Sequence, residues 1–272
     1  MQRIMRHGVM GVLFGLAAMA WTGPAAAAAR THPDFNGIWQ AVNTAYWNLE
    51  GHGASGIDGF MHDMGAFASI PPGQSVVVGG DIPYLPEALR QRDENRAGWP
   101  RADPAASCYM PGIPRANYMP YPFQIVMGED EIMFIYSFAK ANRVVHMTER
   151  SDAPIDYWMG WSNGHWEGDT LVVEVTANDD RTWLDRSGNF HSYAMKVTER
   201  FTLVDENHID YEATIEDPET FSRPWTMKMP LYRRMEPNME LLEYNCVPFS
   251  EPMLYGDLER KAPRNAAPED GQ

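Results

Sequence analysis

The stretch MKVTERFTLVDENHIDYEATI, residues 195–215, decides the fold class of this chain. Two runs in which apolar and polar residues alternate flank the turn residues Asp205, Glu206 and Asn207. A period of two places successive side chains on opposite faces of a β-strand. The stretch therefore predicts a β-hairpin that has one apolar face and one polar face.

Similar strand patterns, separated by turn residues, occur on both sides of this hairpin. They lie at residues 37–40, 123–127, 132–138, 143–149, 158–163, 165–167, 170–176, 225–234 and 240–246. Short strands at intervals of about 8–12 residues are typical of β-sandwiches and up-and-down barrels. The sequence predicts an all-β fold, an antiparallel up-and-down barrel of roughly 8–10 strands, which is a size that suits a closed barrel holding a ligand.

The region before residue 123 predicts long loops and one short helix. Residues 41–82 have no sustained period and contain many glycines, which indicates a long loop. Pro86 begins a run of good helix formers that Pro100 ends, so the helix is predicted at 86–98. The proline-rich residues 104–122 are expected to wrap around the outside of the barrel.

Length and composition fit a single domain. The chain has 272 residues, of which 44% are hydrophobic, and this is sufficient for one substantial core. Residues 30–258 are predicted to be one β-barrel domain, with residues 30–122 as its N-terminal decoration. Residues 259–272 are charged and rich in Pro and Ala, which predicts a disordered tail.

The first 29 residues predict a cleaved signal peptide. Arg3 and Arg6 form a positive start, a short apolar run extends from Val9 to Trp21, and an alanine run ends at Ala29. The apolar run is too short to span a bilayer comfortably and ends in small residues. We therefore expect a periplasmic or secreted protein that is not inserted in the membrane after cleavage.

The charge balance excludes some classes of partner. The formal net charge is −15, and loss of the predicted signal peptide makes it about −17 because that segment holds two arginines and no acids. Such a surface repels nucleic acids and anionic lipids. The partner we expect is a small organic molecule, and the oligomeric state is left open.

Two cysteines, Cys108 and Cys246, predict a disulfide bond. An even pair in an oxidising compartment favours a bridge, here between the proline-rich segment and the last predicted strand. The alternative is a pair of buried free thiols.

Glu199 is the first candidate for catalysis. It falls on the apolar face of the first hairpin strand, where a carboxylate is costly unless it is paired and where its pKa is raised. A carboxyl group in such a place is a candidate general acid or base. The alternative is a structural ion pair with Arg233, which shares a face with apolar residues of the 225–234 strand.

The loop at residues 178–191 supplies two more catalytic candidates. It joins two predicted strands, so it is expected at the barrel rim, and it combines several Asp residues with Trp183 and His191. There His191 can transfer protons, and Asp185 can orient His191 or act as a second carboxylate. The alternative is that Trp183 and Phe190 cap the barrel while Asp185 forms a turn.

Aromatic and polar side chains predicted to face the ligand complete the site. Tryptophans stack on aromatic or sugar-like molecules, and polar groups on inward faces fix their orientation. The predicted ligand-binding residues are Trp158, Trp161, Trp183, Tyr211, Arg233 and His146.

The expected reaction needs no cofactor, and a divalent metal is the alternative. His146, His165 and His191 can form a three-histidine site if they converge. No H-E-x-x-H motif is present, and neither a nucleophile elbow nor a dinucleotide-binding glycine motif occurs in the sequence.

Several segments resemble a signature of a large group of exported, uncharacterised bacterial proteins. They are residues 166–173 (WEGDTLVV), 182–185 (TWLD), His191-Ser192 and 199–201 (ERF), together with residues 108–122 and 243–246. The resemblance covers most of the chain from Cys108 onward. It implies a compact β-domain and carries over no reaction.

A second, fold-level resemblance lies near the N-terminus. Gly37-Ile38-Trp39 is similar to the opening of lipocalin-like (calycin) barrels, in which the Trp plugs the closed end. This resemblance implies only that a small ligand can sit inside the barrel.

These observations lead to three hypotheses of function. The first is an exported enzyme that acts on an aromatic or sugar-like molecule by acid–base chemistry of the lyase, isomerase or hydrolase type. The second is a non-catalytic, lipocalin-like carrier of an apolar ligand. The third is a metal-dependent enzyme with a histidine site.

Overall fold

The structure is a computed structural model that describes residues 32–56 and 69–248. The predicted signal peptide at 1–29 and the predicted tail at 259–272 lie outside the described residues. The same holds for the last ten residues of the predicted barrel domain.

The described residues form short strands, one α-helix and two short 3-10 helices. The strands are β1 Gly37–Ala41, β2 Ser55–Gly56, β3 Ser69–Ile70, β4 Phe123–Met127, β5 Glu131–Tyr136, β6 Asn142–His146, β7 Trp161–Glu167, β8 Thr170–Thr176, β9 Lys196–Asp205, β10 His208–Glu216 and β11 Trp225–Arg233. The helix α1 is Pro86–Gly98, and the 3-10 helices are Pro104–Ser107 and Arg115–Tyr118.

Nine of these strands close into a barrel, so the predicted all-β barrel is confirmed. The order around the barrel is β1, β11, β10, β9, β8, β7, β6, β5 and β4, and β4 pairs again with β1. β2 and β3 form a separate two-stranded sheet.

One junction of the barrel differs from the antiparallel prediction. β6 and β7 are parallel and share only two residue pairs, Val145 with Ser162 and His146 with Asn163. Parallel neighbours need a longer connection than a hairpin, and here the segment from Met147 to Gly160 supplies it. The pairing joins the C-terminal end of β6 to the N-terminal end of β7, and the earlier residues of β6 have no partner on β7.

The hairpin that decided the fold class forms as predicted. β9 and β10 are antiparallel, with Phe201 opposite Tyr211 and Glu199 opposite Ala213. All four side chains are buried, while Arg200 and Glu212 on the other face are partly exposed. The small Ala213 side chain leaves room for the Glu199 carboxylate beside it.

Side chains fill the barrel interior. Large residues from neighbouring strands are fully buried there, which gives the close packing of a protein core. Among them are Trp39, Phe123, Phe134, Phe201, Tyr211 and Leu231.

Trp39 on β1 is fully buried. Its Nε1 donates a 2.9 Å hydrogen bond to the Phe35 carbonyl oxygen, and the Arg233 guanidinium lies 4.2 Å from the centre of its ring. The 3-10 helix Arg115–Tyr118 is also buried throughout and contacts β1.

The helix occurs at the predicted residues, whereas the last predicted strand is wrong. α1 has Pro86 in its first turn, and Trp99, which precedes Pro100, caps its C-terminus in an extended conformation. Residues 240–246 form no strand, and Tyr244 makes only a single bridge to Phe138.

The predicted disulfide between Cys108 and Cys246 is confirmed, with 5.6 Å between the two Cα atoms. It joins the proline-rich segment to the C-terminal segment of the described chain. Disulfides persist in oxidising compartments, so the bond indicates an environment other than the cytoplasm. Among the described residues, none of the helices is long and apolar enough to span a membrane.

Candidate functional site

Glu199 lies in the barrel interior and accepts three hydrogen bonds. Arg143 Nη1 donates to Oε2 at 2.6 Å, and Oε1 accepts from Asn117 Nδ2 at 2.6 Å and from Tyr211 Oη at 2.8 Å. The carboxylate is fully buried. An ion pair with these additional hydrogen bonds is the arrangement in which a charged carboxylate tolerates burial.

Asn117 connects this carboxylate to a second tyrosine. Its Oδ1 accepts a 2.8 Å hydrogen bond from the Tyr136 hydroxyl group, and its Nδ2 also lies 3.0 Å from Tyr211 Oη. Burial raises the pKa of both tyrosines, so both hydroxyl groups keep their protons. We call Glu199, Arg143, Asn117, Tyr136 and Tyr211 the interior network.

The partner predicted for Glu199 is wrong. Arg143 on β6 forms the ion pair, while Arg233 at the end of β11 donates to the backbone carbonyl oxygens of Asn36 and Glu206. Arg233 shares the inward face of its strand as predicted, but it lies at the strand end, beside Trp39. Tyr211, predicted to bind ligand, belongs to the interior network.

His191 is buried and hydrogen-bonded through both ring nitrogens. Nδ1 lies 2.9 Å from the Ser192 carbonyl oxygen and Nε2 lies 2.7 Å from Thr182 Oγ1. Because a carbonyl oxygen only accepts, Nδ1 carries the proton in the neutral ring. Burial lowers the pKa of His191, which keeps the ring neutral.

Asp185 organises its own loop, so the prediction that it orients His191 is wrong. Its two oxygens accept hydrogen bonds from the backbone nitrogens of Leu49 and Ser187, and from Asn189 through both the backbone nitrogen and Nδ2. The carboxyl group is fully buried, and this burial raises its pKa from 3.8 to about 6. The turn-forming alternative matches these contacts.

A cleft of about 600 Å³ lies in the barrel wall beside the junction of β6 and β7. Its lining comes from the start of β6, the segment before β7, β7 itself and the 178–191 loop. The lining residues are Met110, Asn142, Arg143, Val144, His146, Asp156, Tyr157, Trp158, Met159, Gly160, Trp161, Ser162, Asp179 and Arg181. The cleft thus adjoins the parallel junction, at which the two strands share only two residue pairs.

The cleft brings together three of the predicted ligand-binding residues, Trp158, Trp161 and His146. The ring centres of His146 and Trp161 are 4.5 Å apart, and those of Tyr157 and Trp161 are 5.7 Å apart. Trp158 stacks on Tyr109 at 5.0 Å with nearly parallel rings. The walls are therefore aromatic and held by mutual ring contacts.

Two ion pairs lie at the cleft. Arg181 binds Asp179 through two hydrogen bonds of 2.8 and 2.5 Å, and its guanidinium lies 4.3 Å from the Trp158 ring centre. The hydrogen bonds from Arg181 hold the pKa of Asp179 below its usual range. His146 Nδ1 lies 3.5 Å from Glu131 Oε1, and the His146 side chain is 26% exposed.

The predicted three-histidine metal site does not form. His146 contacts Glu131 and Trp161, His165 pairs with Glu167 at 3.4 Å, and His191 is buried against Thr182. Within the described ranges, no group of three or more His, Cys, Asp or Glu side chains has the geometry to hold a metal ion.

The remaining predicted residues do not line the cleft. Trp183 is buried and makes a single antiparallel bridge to Phe190, as in the alternative interpretation of its loop. Glu199, His191 and Asp185 are buried in separate surroundings and none of them lines the cleft. The three predicted catalytic residues thus do not form one site.

Sequence reasoning missed Arg143, Asn117 and Arg181. Arg143 alternates with Val145 in a predicted strand, so its inward direction was available from the pattern. Asn117 lies in a proline-rich segment without periodicity, and no local signal marks it. No protein-family model matches the chain, and a search of curated proteins finds no match either.

Proposed function

We propose that this protein binds a small organic molecule with an aromatic or sugar-like ring in the cleft between β6 and β7. The observation that carries the proposal is the convergence of Trp158, Trp161 and Tyr157 around one open space of about 600 Å³. Binding sites for small molecules have about this volume and are lined by aromatic groups with a few polar ones. The ligand site is thus in the barrel wall, while side chains occupy the interior.

The proposed setting is the periplasm or the extracellular space. The disulfide bond supports an oxidising environment, and the predicted signal peptide supports export. The acidic surface supports a neutral or cationic small molecule over nucleic acid as a partner.

Calorimetric titration with a panel of planar aromatic compounds and sugars tests this proposal. The Trp161→Ala variant should bind the best compound about tenfold more weakly, because stacking on a tryptophan contributes on the order of 1 kcal/mol or more. Trp183→Phe is the matched control, since Trp183 is buried outside the cleft and should leave the affinity unchanged. Equal affinities for both variants contradict the proposed site.

A second candidate function is acid–base catalysis in the same cleft, with His146 as the proton-transferring group. The observation that favours it is the His146–Glu131 pair, in which a carboxylate faces one ring nitrogen and orients the imidazole. This assignment differs from the predicted trio of Glu199, His191 and Asp185, since those three carboxyl and imidazole groups are enclosed by protein.

The variants His146→Gln and Glu131→Gln separate an enzyme from a carrier. For an enzyme, the first variant should bind ligand normally and lose turnover, and the second should lower turnover because the imidazole loses the carboxylate that orients it. A protein that binds the compound and leaves it unchanged over long incubation is the non-catalytic carrier.

A further inference from the structure

Two side chains that line the cleft carry buried polar atoms without hydrogen-bond partners. Nε and Nη2 of Arg143 and Oγ of Ser162 have no partner among the described residues. Arg143 is 3% exposed and Ser162 is 1% exposed, and both residues line the cleft. Buried polar groups of folded proteins are nearly always hydrogen-bonded, so three such atoms at one site point to a bound group.

The two nitrogens form one edge of the guanidinium. Glu199 takes Nη1, which leaves Nε–H and an Nη2–H that point in the same direction as a two-donor fork. The Tyr136 hydroxyl group donates to Asn117 and interacts with the guanidinium, but it does not meet the geometry of a hydrogen bond to Nε or Nη2. The free edge is therefore suited to an oxygen acceptor.

Ser162 lies on β7, which borders the cleft opposite β6. It pairs with Val145 across the β6–β7 junction, and Arg143 precedes Val145 by two positions on the same inward face. Its hydroxyl group can donate one more hydrogen bond toward the same acceptor. The site thus offers donors from both strands that border the cleft.

The charge balance decides which kind of oxygen fits. The charge of Arg143 is already compensated by Glu199, so a ligand carboxylate leaves an excess negative charge in a buried place. Asp156 and Asp179 also line the cleft, and the chain as a whole is acidic. A carbonyl oxygen accepts from both nitrogens without adding charge.

We propose that the ligand is a neutral planar carbonyl compound, such as an aromatic ketone, ester or lactone. Its carbonyl oxygen accepts hydrogen bonds from Arg143 and Ser162, and its ring stacks on Trp161. Glu199 is a positioning residue in this arrangement, because it holds the guanidinium by Nη1. The inference rests on the proposed binding function and names the ligand class for the same cleft.

Three probes of the same shape test the inference by calorimetry: acetonaphthone, naphthoate and ethylnaphthalene. They share one ring system and differ in a neutral acceptor, an anionic acceptor and no acceptor. We expect acetonaphthone to bind at least about tenfold more tightly than the other two, which is the effect of a hydrogen bond to a charged donor. In the Ser162→Ala and Arg143→Lys variants this preference should shrink.

A vibrational measurement separates hydrogen bonding from fold stability. The carbonyl stretch of bound acetonaphthone should move to lower frequency in the wild-type protein and less in Arg143→Lys, in which Lys keeps the charge opposite Glu199 but loses the fork. Trp183→Phe should show the full shift.

The outcomes distinguish the inference from the function on which it rests. Equal binding of acetonaphthone and ethylnaphthalene, or tighter binding of naphthoate, overturns the carbonyl inference and keeps the cleft as a ligand site. If none of the three probes binds but a sugar does, only the carbonyl inference fails, and if no compound of the aromatic and sugar panel binds, both proposals fail.

Discussion

Arg143 and Glu199 form an ion pair inside the barrel, with 2.6 Å between Nη1 and Oε2 and with both side chains closed off from solvent. The pair links the first strand of the cleft to the centre of the barrel, since Arg143 lies on β6 and Glu199 on β9. If one of the two charges is removed, water cannot solvate the charge that remains, because both side chains are buried.

The first prediction concerns this pair. Glu199→Gln should lower the free energy of unfolding by about 3–5 kcal/mol, because it leaves the guanidinium buried without a counter-charge. Denaturant unfolding followed by circular dichroism measures the loss. Glu167→Gln is the control, since Glu167 pairs with Arg200 at 2.8 Å on the surface and should change stability far less. Similar losses in both variants would contradict the buried pair.

The second prediction concerns the pH dependence caused by Asp185. Its pKa is raised in the folded protein from 3.8 to about 6, so the folded state holds this proton more tightly than the unfolded chain does. The group therefore contributes stability fully below about pH 4, and this contribution is lost as the pH rises to about 6. The loss amounts to at most about 3 kcal/mol.

Asp185→Asn isolates this effect, because the amide does not titrate. Denaturant unfolding at several pH values gives the difference in stability between wild type and variant. As the pH rises from about 4 to about 6, the free energy of unfolding of the wild type should fall relative to that of the variant. A difference that is constant over this range sinks the prediction.

The third prediction concerns the disulfide. Replacing both Cys108 and Cys246 by Ala should lower the free energy of unfolding by up to about 5 kcal/mol, because the bond closes a loop across a sequence separation of 138 residues. Denaturant midpoints of the variant and of wild type under oxidising conditions measure the loss. Adding reductant to the double variant should change nothing, whereas unchanged stability on reduction of the wild type contradicts the prediction.

The fourth prediction uses two glycines with similar backbone conformations. Gly160 and Gly168 have φ of +64° and +60°, so alanine is strained at both. A Cβ at Gly160 would lie 2.5 Å from Val175 Cγ1 and 2.6 Å from Asn178 Oδ1, whereas a Cβ at Gly168 meets nothing within 4 Å. Gly160→Ala should therefore cost about 1–3 kcal/mol more stability than Gly168→Ala.

Ligand affinity provides a second readout for this pair of variants. Gly160 lines the cleft and Gly168 lies in the β7–β8 turn, so only Gly160→Ala should also weaken binding. Equal stability losses and equal affinities would show that Gly160 has no tight packing role.

Local patterns predicted the elements of this fold well, and they predicted pairings across the barrel poorly. The hairpin, the helix at 86–98 and the inward direction of Glu199 all follow from periodicity within about ten residues. The ion pair between Glu199 and Arg143 joins residues that are 56 positions apart, and alternation says nothing about which strands become neighbours. Alternation placed Arg233 correctly on the inward face of its strand, but Arg233 lies at the end of β11 beside Trp39 and not beside Glu199.

The candidate site shows the same division. Trp158, Trp161 and His146 were assigned to ligand binding by residue type, and they converge because β6 and β7 are parallel neighbours. The chemistry of their side chains made His191 and Asp185 catalytic candidates, but both are buried and their hydrogen bonds stabilise the loop. Asn117 carried no signal at all, because a proline-rich segment has no period from which to read a face.

The parallel junction between β6 and β7 follows from the number of strands in the barrel and not from any single residue. Strand directions that alternate around a closed ring return to their starting direction only if the ring has an even number of members, and this barrel has nine. In a closed barrel with an odd number of strands, at least one pair of neighbours must therefore be parallel, although the position of that pair can differ. The cleft lies at that parallel pair, so gaining or losing a single strand would abolish the topological need for the opening itself.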